Sequence, residues 1–198
     1  MFGYIEALLN ITTVKNDDNN RVVLIMATFF HDAIYDVNSA SNEKDSSNLF
    51  RQFWEELSSV LSLPNGPWEG IERISRYILA TKSHVPPKFS LSNDPKRTND
   101  HHYLCIFLDI DMAVLGKEAT AYDAYAVLIR EEYLHVPHRM YCEKRSEILE
   151  SFLDDKGGDN SSGYMTIYAT KIMREMLEER ATMNLRREIK NLRNYTIV

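Results

Sequence analysis

His31 and Asp32 are adjacent in the chain. They close an apolar run, Val22 to Phe30, that only Thr28 interrupts. An imidazole and a carboxylate at the point where a buried segment reaches polar surroundings are costly unless they are paired or bound to a cation. Neighbouring residues of a helix point about 100° apart, so both side chains can reach one ion lying between them. Such a pair suits Zn, Mn, Fe or Co, and carboxylates also suit Mg. On the dipeptide alone the plainer account is a helix that ends in a dipole-compensating His with an Asp in the following turn. A second acidic pair, Asp109 and Asp111, lies in FLDIDMAVLG inside another apolar segment. If that segment is helical, the two carboxylates point about 200° apart, so one faces a shared site. Spacing leaves open which one, and it equally allows one to cap a helix while the other is exposed. Glycine-rich phosphate loops and a GxSxG elbow are absent from the sequence.

The elements that must carry these residues read as helices. Residues 20–34 continue for about four turns and fit a buried central helix. Residues 42–62 place Leu49, Phe50, Phe53, Trp54, Leu57, Val60 and Leu61 at one-faced amphipathic spacing. Asn42 with Asp45 resembles a short capping box. Pro64, Asn65 and Gly66 break the chain, and Pro67 suits the first turn of a helix burying Ile71, Ile74, Tyr77 and Ile78. Pro86 and Pro87 end that helix. Residues 88–100 read as a polar surface loop. Residues 101–116 form the next apolar segment, a helix by its context. Thr120 with Asp123 resembles a capping box for a helix to about Leu134. Pro137 opens another helix to about Leu153, residues 154–163 form a loop, and a long amphipathic helix runs over 165–193. The periodicity therefore predicts an all-α single domain spanning 1–198.

Composition bounds the function. The chain has 198 residues, 44% hydrophobic and 26% charged, with a net charge of −6. So acidic a surface is a poor general partner for nucleic-acid backbones or anionic membranes. The longest apolar run is under half of the ~20 residues a bilayer span needs. The N-terminal MFGYIEALLN has neither a basic n-region nor a small-residue cleavage site, which points to a cytoplasmic protein. Two cysteines, Cys105 and Cys142, make neither a disulfide framework nor a zinc knuckle.

Taken in order, FFHDAIYD, NEKDSS, ILATKSH, IFLDIDMAVLG, YAVLIREEY, VPHRMY and RSEILESFL resemble the HD-superfamily predicted metal-dependent phosphohydrolases of the FHDxVYD type, from about Tyr4 to Leu192. The resemblance implies an all-α HD helical bundle, a bound divalent ion (Mn, Mg, Zn, Fe or Co) and hydrolysis of a small phosphoester, such as a nucleotide. It places metal ligands at His31, Asp32 and Asp111, with Asp109 in reserve. The family's upstream His belongs to a stretch of which only Tyr4 would fall within this sequence, the remainder preceding Met1, and no histidine lies between Met1 and Phe30. Either the chain is an N-terminally short version or it has lost that ligand, and in both cases the resemblance implies an impaired site. Among the other matched positions, Glu43 would hold the attacking water or act as general base, and His84 would serve as a base or extra ligand. Lys82 would meet phosphate as a point charge, and Arg130, with Tyr133, would contact substrate. Helix-end charge compensation accounts for Glu43, Lys82 and His84 without chemistry, and a local pair with Glu131 or Asp123 accounts for Arg130. His101, His102, His135 and His138 are expected on the surface. A non-catalytic HD-like protein that binds a ligand or partner is the alternative function, and a helical scaffold whose polar motifs are helix caps is a third.

Overall fold

The computed structural model describes residues 18–62, 68–84, 95–153 and 167–195. Among them are seven α-helices, one 3-10 turn and no strand, so the fold is all-α. No helix among the described residues is long and apolar enough to cross a membrane. The Pro64–Gly66 break, Pro67, Pro86, Pro87 and the loop at 154–163 fall outside the described residues. The chain forms two compact units, Met1–Asp111 and Met112–Val198.

The first unit holds α1 (Asp18–Phe30), α2 (Asn42–Val60), α3 (Glu69–Ala80) and α4 (Pro95–Asp111). Helix α1 packs on α2, α3 and α4. It does so through one face: Val23, Leu24, Ala27 and Phe30 are buried, whereas Val22 and Phe29 are 42% and 66% exposed. It is therefore not buried on all sides, as its apolar run suggests. That position belongs to α4, in which every residue from Tyr103 to Ile110 is buried. Helix α4 also begins earlier than expected, because Pro95 suits a first helical turn and draws residues 95–100 out of the loop.

Helix α2 buries Ser46, Ser47 and Phe50, but Phe53, Val60 and Leu61 remain exposed. Its cap lies one residue earlier than Asn42. Ser41 is the N-cap residue, and its hydroxyl donates to Asp45 Oδ2 at 2.6 Å. Helix α3 buries Ile74, Tyr77 and Ile78 as its spacing predicts, whereas Ile71, in its first turn, is only half-buried. Tyr77 donates to Asp100 of α4 at 3.0 Å, and Arg73 pairs with the same carboxylate at 2.6 Å. Trp54 of α2 stacks against Trp68 with ring centroids 4.8 Å apart, and Trp68 donates to Asn19 at 2.9 Å.

The second unit begins with a 3-10 turn, η1 (Met112–Gly116), followed by α5 (Ala119–Glu132), α6 (His138–Leu153) and α7 (Lys171–Arg193). Helix α7 packs on α6 and η1. It buries Met173, Leu177, Ala181, Leu185 and Leu192, the spacing of one helical face. Its Thr170 cap accepts from Met173 N–H at 3.4 Å. Asn184 donates to the Leu115 and Lys117 carbonyls at 2.8 and 2.9 Å, and Arg180 donates to the Gly116 carbonyl at 3.0 Å. A Cβ at Gly116 would stand 2.6 Å from the Leu177 Cβ, so this approach needs glycine. The expected Thr120 cap is replaced: Glu118 precedes α5, and Asp123 pairs with Arg187 instead. Arg145 of α6 reaches Glu188 at 3.0 Å, and Tyr122 donates to the same buried carboxylate.

Candidate metal centre

Helix α1 ends one residue before the His–Asp pair, so the pair is not helical. The His31 N–H still completes the last turn on the Ala27 carbonyl at 2.9 Å, and the chain then turns away through Ala33 N–H to Phe30 O at 3.1 Å. This leaves the His31 ring buried beneath the C-terminus of α1, edge-on to Phe107 of α4. Its Nδ1 lies 2.8 Å from the Thr28 carbonyl. A carbonyl only accepts, so Nδ1 carries the proton and Nε2 faces the site.

Two carboxylates meet that Nε2. Asp32 Oδ2 stands 3.2 Å away and Asp111 Oδ1 3.3 Å away. The second oxygen of Asp111 accepts from His84 Nε2–H at 3.0 Å. Four side chains from the ends of α1, α3 and α4 thus converge, and Asp111 rather than Asp109 is the α4 carboxylate that reaches His31. Asp109 is buried, at 3% exposure.

A neutral imidazole would aim its Nε2 lone pair at two anions. The arrangement therefore calls for a cation at that nitrogen. In the metal-free protein the cation is a proton. Burial lowers the pKa of His31, but hydrogen bonds to Asp111 and Asp32 outweigh it and raise the value to about 10. Burial likewise works against the Asp111 anion, yet hydrogen bonds from His31 and His84 hold its carboxyl well below the usual carboxylate range.

Imidazole nitrogen and carboxylate oxygen are the donor set of Zn, Mn, Fe and Co sites. Ligands about 2.1 Å from an ion stand about 3.0–3.4 Å apart in tetrahedral to octahedral shells, which matches the two N···O separations at His31. Even so, no group of three or more His, Cys, Asp or Glu among the described residues is arranged to hold an ion as it stands. The carboxylates close on the protonated ring and would have to open around an ion. Asp32, with its side chain 63% exposed, has room to turn. The donor types fit a divalent cation on that adjustment.

Lys82 and His84 share the turn after α3. The Lys82 ammonium donates to the Ala40 carbonyl at 2.6 Å and stands 3.9 Å from Glu43. His84 holds φ at 51°, in the left-handed region that a residue with a Cβ rarely adopts. Such a conformation costs about 1–3 kcal/mol and persists only where contacts over-determine it. Its bond to Asp111 is one of them. Arg130 lies in the second unit, where its guanidinium donates to the Tyr133 and Val136 carbonyls at 2.6 and 3.3 Å and lies over the Tyr141 ring. It pairs with neither Glu131 nor Asp123. Tyr133 is half-buried near Tyr141. His102, His135 and His138 are exposed and His101 is half-buried. The Thr28 carbonyl was not readable as a site atom, because a backbone oxygen has no signature in residue type. No family model, curated protein or solved structure matches this chain.

Proposed function

We propose that the first unit carries a metal-dependent phosphohydrolase site of the HD superfamily, acting on a small phosphoester such as a nucleotide. The observation that supports this most is the fixed His31 ring, whose Nε2 is turned by the Thr28 carbonyl towards two carboxylates. His31, Asp32 and Asp111 would hold the cation. Bound there, a divalent ion supplies a water acidified towards neutrality and polarises a phosphoryl oxygen. His84 donates its Nε2–H to Asp111 Oδ2 and steadies that carboxylate, while Glu43 would orient or deprotonate the water. Lys82 meets the phosphate by releasing the Ala40 carbonyl, for which its 61% exposed side chain has freedom.

The test is hydrolysis of p-nitrophenyl phosphate by the full chain with added Mn2+, with chelator, and after His31→Ala or Asp111→Ala. Turnover should need the metal and should fall at least tenfold in either variant. Turnover insensitive to chelator and to both substitutions would sink the proposal.

A second reading is a non-catalytic HD-like protein that binds a ligand or partner at the same place. The mutual pairing of the four side chains favours it, since their charges are already satisfied without an ion. Stoichiometric Mn2+ binding without turnover is its expected signature.

A further inference from the structure

Asn42 and Ser46 stand four residues apart on the first turns of α2, so their side chains leave the same face. Each one brackets a single residue of the loop that follows His31. Ser46 Oγ accepts from the Ile34 N–H at 3.0 Å and donates to the Ile34 carbonyl at 3.2 Å. Asn42 Oδ1 accepts from the Asp36 N–H at 3.0 Å, and its Nδ2 donates to the Asp36 carbonyl at 2.9 Å. Two side chains thus give residues 34 and 36 the two-point pairing that a neighbouring strand would give. Ser46 is fully buried, so its hydroxyl is held to this role.

The loop needs such an anchor because of Asp32. That side chain is largely exposed, and its bond to His31 must compete with water. Where its carboxylate stands depends on where the backbone of residues 32–36 runs. We propose that Ser46 and Asn42 are positioning residues for the candidate metal centre, fixing the loop so that Asp32 is delivered to His31 Nε2. The inference rests on the metal reading above. Asp36 extends the anchor into the loop: its Oδ1 accepts from the Asn38 N–H at 2.9 Å, and its carbonyl accepts from the Ser39 N–H at 2.9 Å. Groups held this way around ligands typically change metal affinity by about 10–100-fold when removed.

The experiment is Mn2+ titration of the full chain, followed by loss of the free-ion EPR signal, for Ser46→Ala, Ser46→Thr, Asn42→Ala and the control His31→Ala. Tryptophan fluorescence of each variant reports whether the first unit is folded at the titration temperature. Ser46→Ala and Asn42→Ala should each bind Mn2+ about 10–100-fold more weakly while still folded, and Ser46→Thr, which keeps the hydroxyl, should bind more tightly than Ser46→Ala. Should Ser46→Ala fail to fold, Asn42→Ala, whose side chain is half-buried, carries the same test. Wild-type affinity in the folded alanine variants, with binding lost in His31→Ala, overturns the positioning role and leaves the metal reading standing. Weakening that appears only as the variants unfold also overturns it. Unchanged binding in His31→Ala removes the metal reading itself.

Discussion

The Thr28 carbonyl receives the Nδ1–H of His31 at 2.8 Å, and this one bond decides which ring nitrogen meets Asp32 and Asp111. Thr28 lies in the last turn of α1 and His31 directly follows it, so the helix end itself orients the ring. The rest of the site is arranged around the nitrogen left over.

The first prediction concerns pH. In the metal-free protein the His31 pKa is raised from 6.5 to about 10. A raised folded value means that the imidazolium stabilises the fold fully below the unfolded pKa. That stability is lost as pH rises through about 10. Urea unfolding between neutral and strongly alkaline pH should show this decline, and His31→Gln should flatten it. A wild-type curve as flat as the variant's would show that His31 is not held as an imidazolium.

The two aspartates of α4 should separate cleanly. Asp111→Asn removes an anion that faces His31 and His84, so Mn2+ affinity should fall at least tenfold. The depressed pKa of Asp111 also stabilises the fold above the ordinary carboxylate range and ceases to do so as pH falls through its folded value. Acid unfolding should therefore lose part of its pH dependence in the variant. Asp109→Asn should alter stability and leave Mn2+ affinity near wild type. The reverse pattern would make Asp109 the ligand.

Cys105 is expected to resist alkylation. Burial, with a smaller contribution from Asp109, pushes its thiol up to about 11. The thiolate is the reactive form, so at mildly alkaline pH the native protein should react on the order of 100-fold more slowly than an exposed cysteine. Iodoacetamide labelling read by mass spectrometry checks this, and denaturant should release the reactivity.

Within the second unit, Glu188→Ala should leave the Arg145 guanidinium buried and unpaired. Breaking such a pair from one side costs about 3–5 kcal/mol. Replacing both partners by apolar residues should cost less than the sum of the single changes. Gly116→Ala should cost about 1–3 kcal/mol, because the new methyl group meets Leu177. Urea unfolding followed by circular dichroism measures both.

Much of the helical layout was legible because apolar spacing is a one-dimensional signal. It placed α6 closely and the end of α7, though α7 starts at Lys171 rather than at 165. Of the residues it marked as buried in α3, it was right for Ile74, Tyr77 and Ile78 but not for Ile71. Caps were less legible. Asn42 has the right chemistry for a cap, but its amide is drawn to Asp36, and Ser41 takes the position. The buried helix was misassigned to α1 because a long apolar run does not say how many neighbours it has. Helix α4 carries more polar residues in its first half, yet its second half is the one enclosed on every side. In the site, residue types pointed to His31, Asp32 and Asp111. The tautomer, and the proton that His31 shares with both carboxylates, could not be read, because they follow from a carbonyl and from long-range proximity.

Both tryptophans of the chain, Trp54 and Trp68, sit in the first unit with their indole rings nearly in contact. Indoles this close couple their strong far-ultraviolet transitions, so the pair should give an exciton couplet there that disappears once α2 and the start of α3 separate. The same chromophores are silent about residues 112–198, where tyrosine carries the aromatic signal. Selective indole excitation therefore records the melting of the unit that holds His31. Tyrosine emission and backbone dichroism record the whole chain. A gap between the two melting curves would measure how far the units unfold independently, without a label or a truncation.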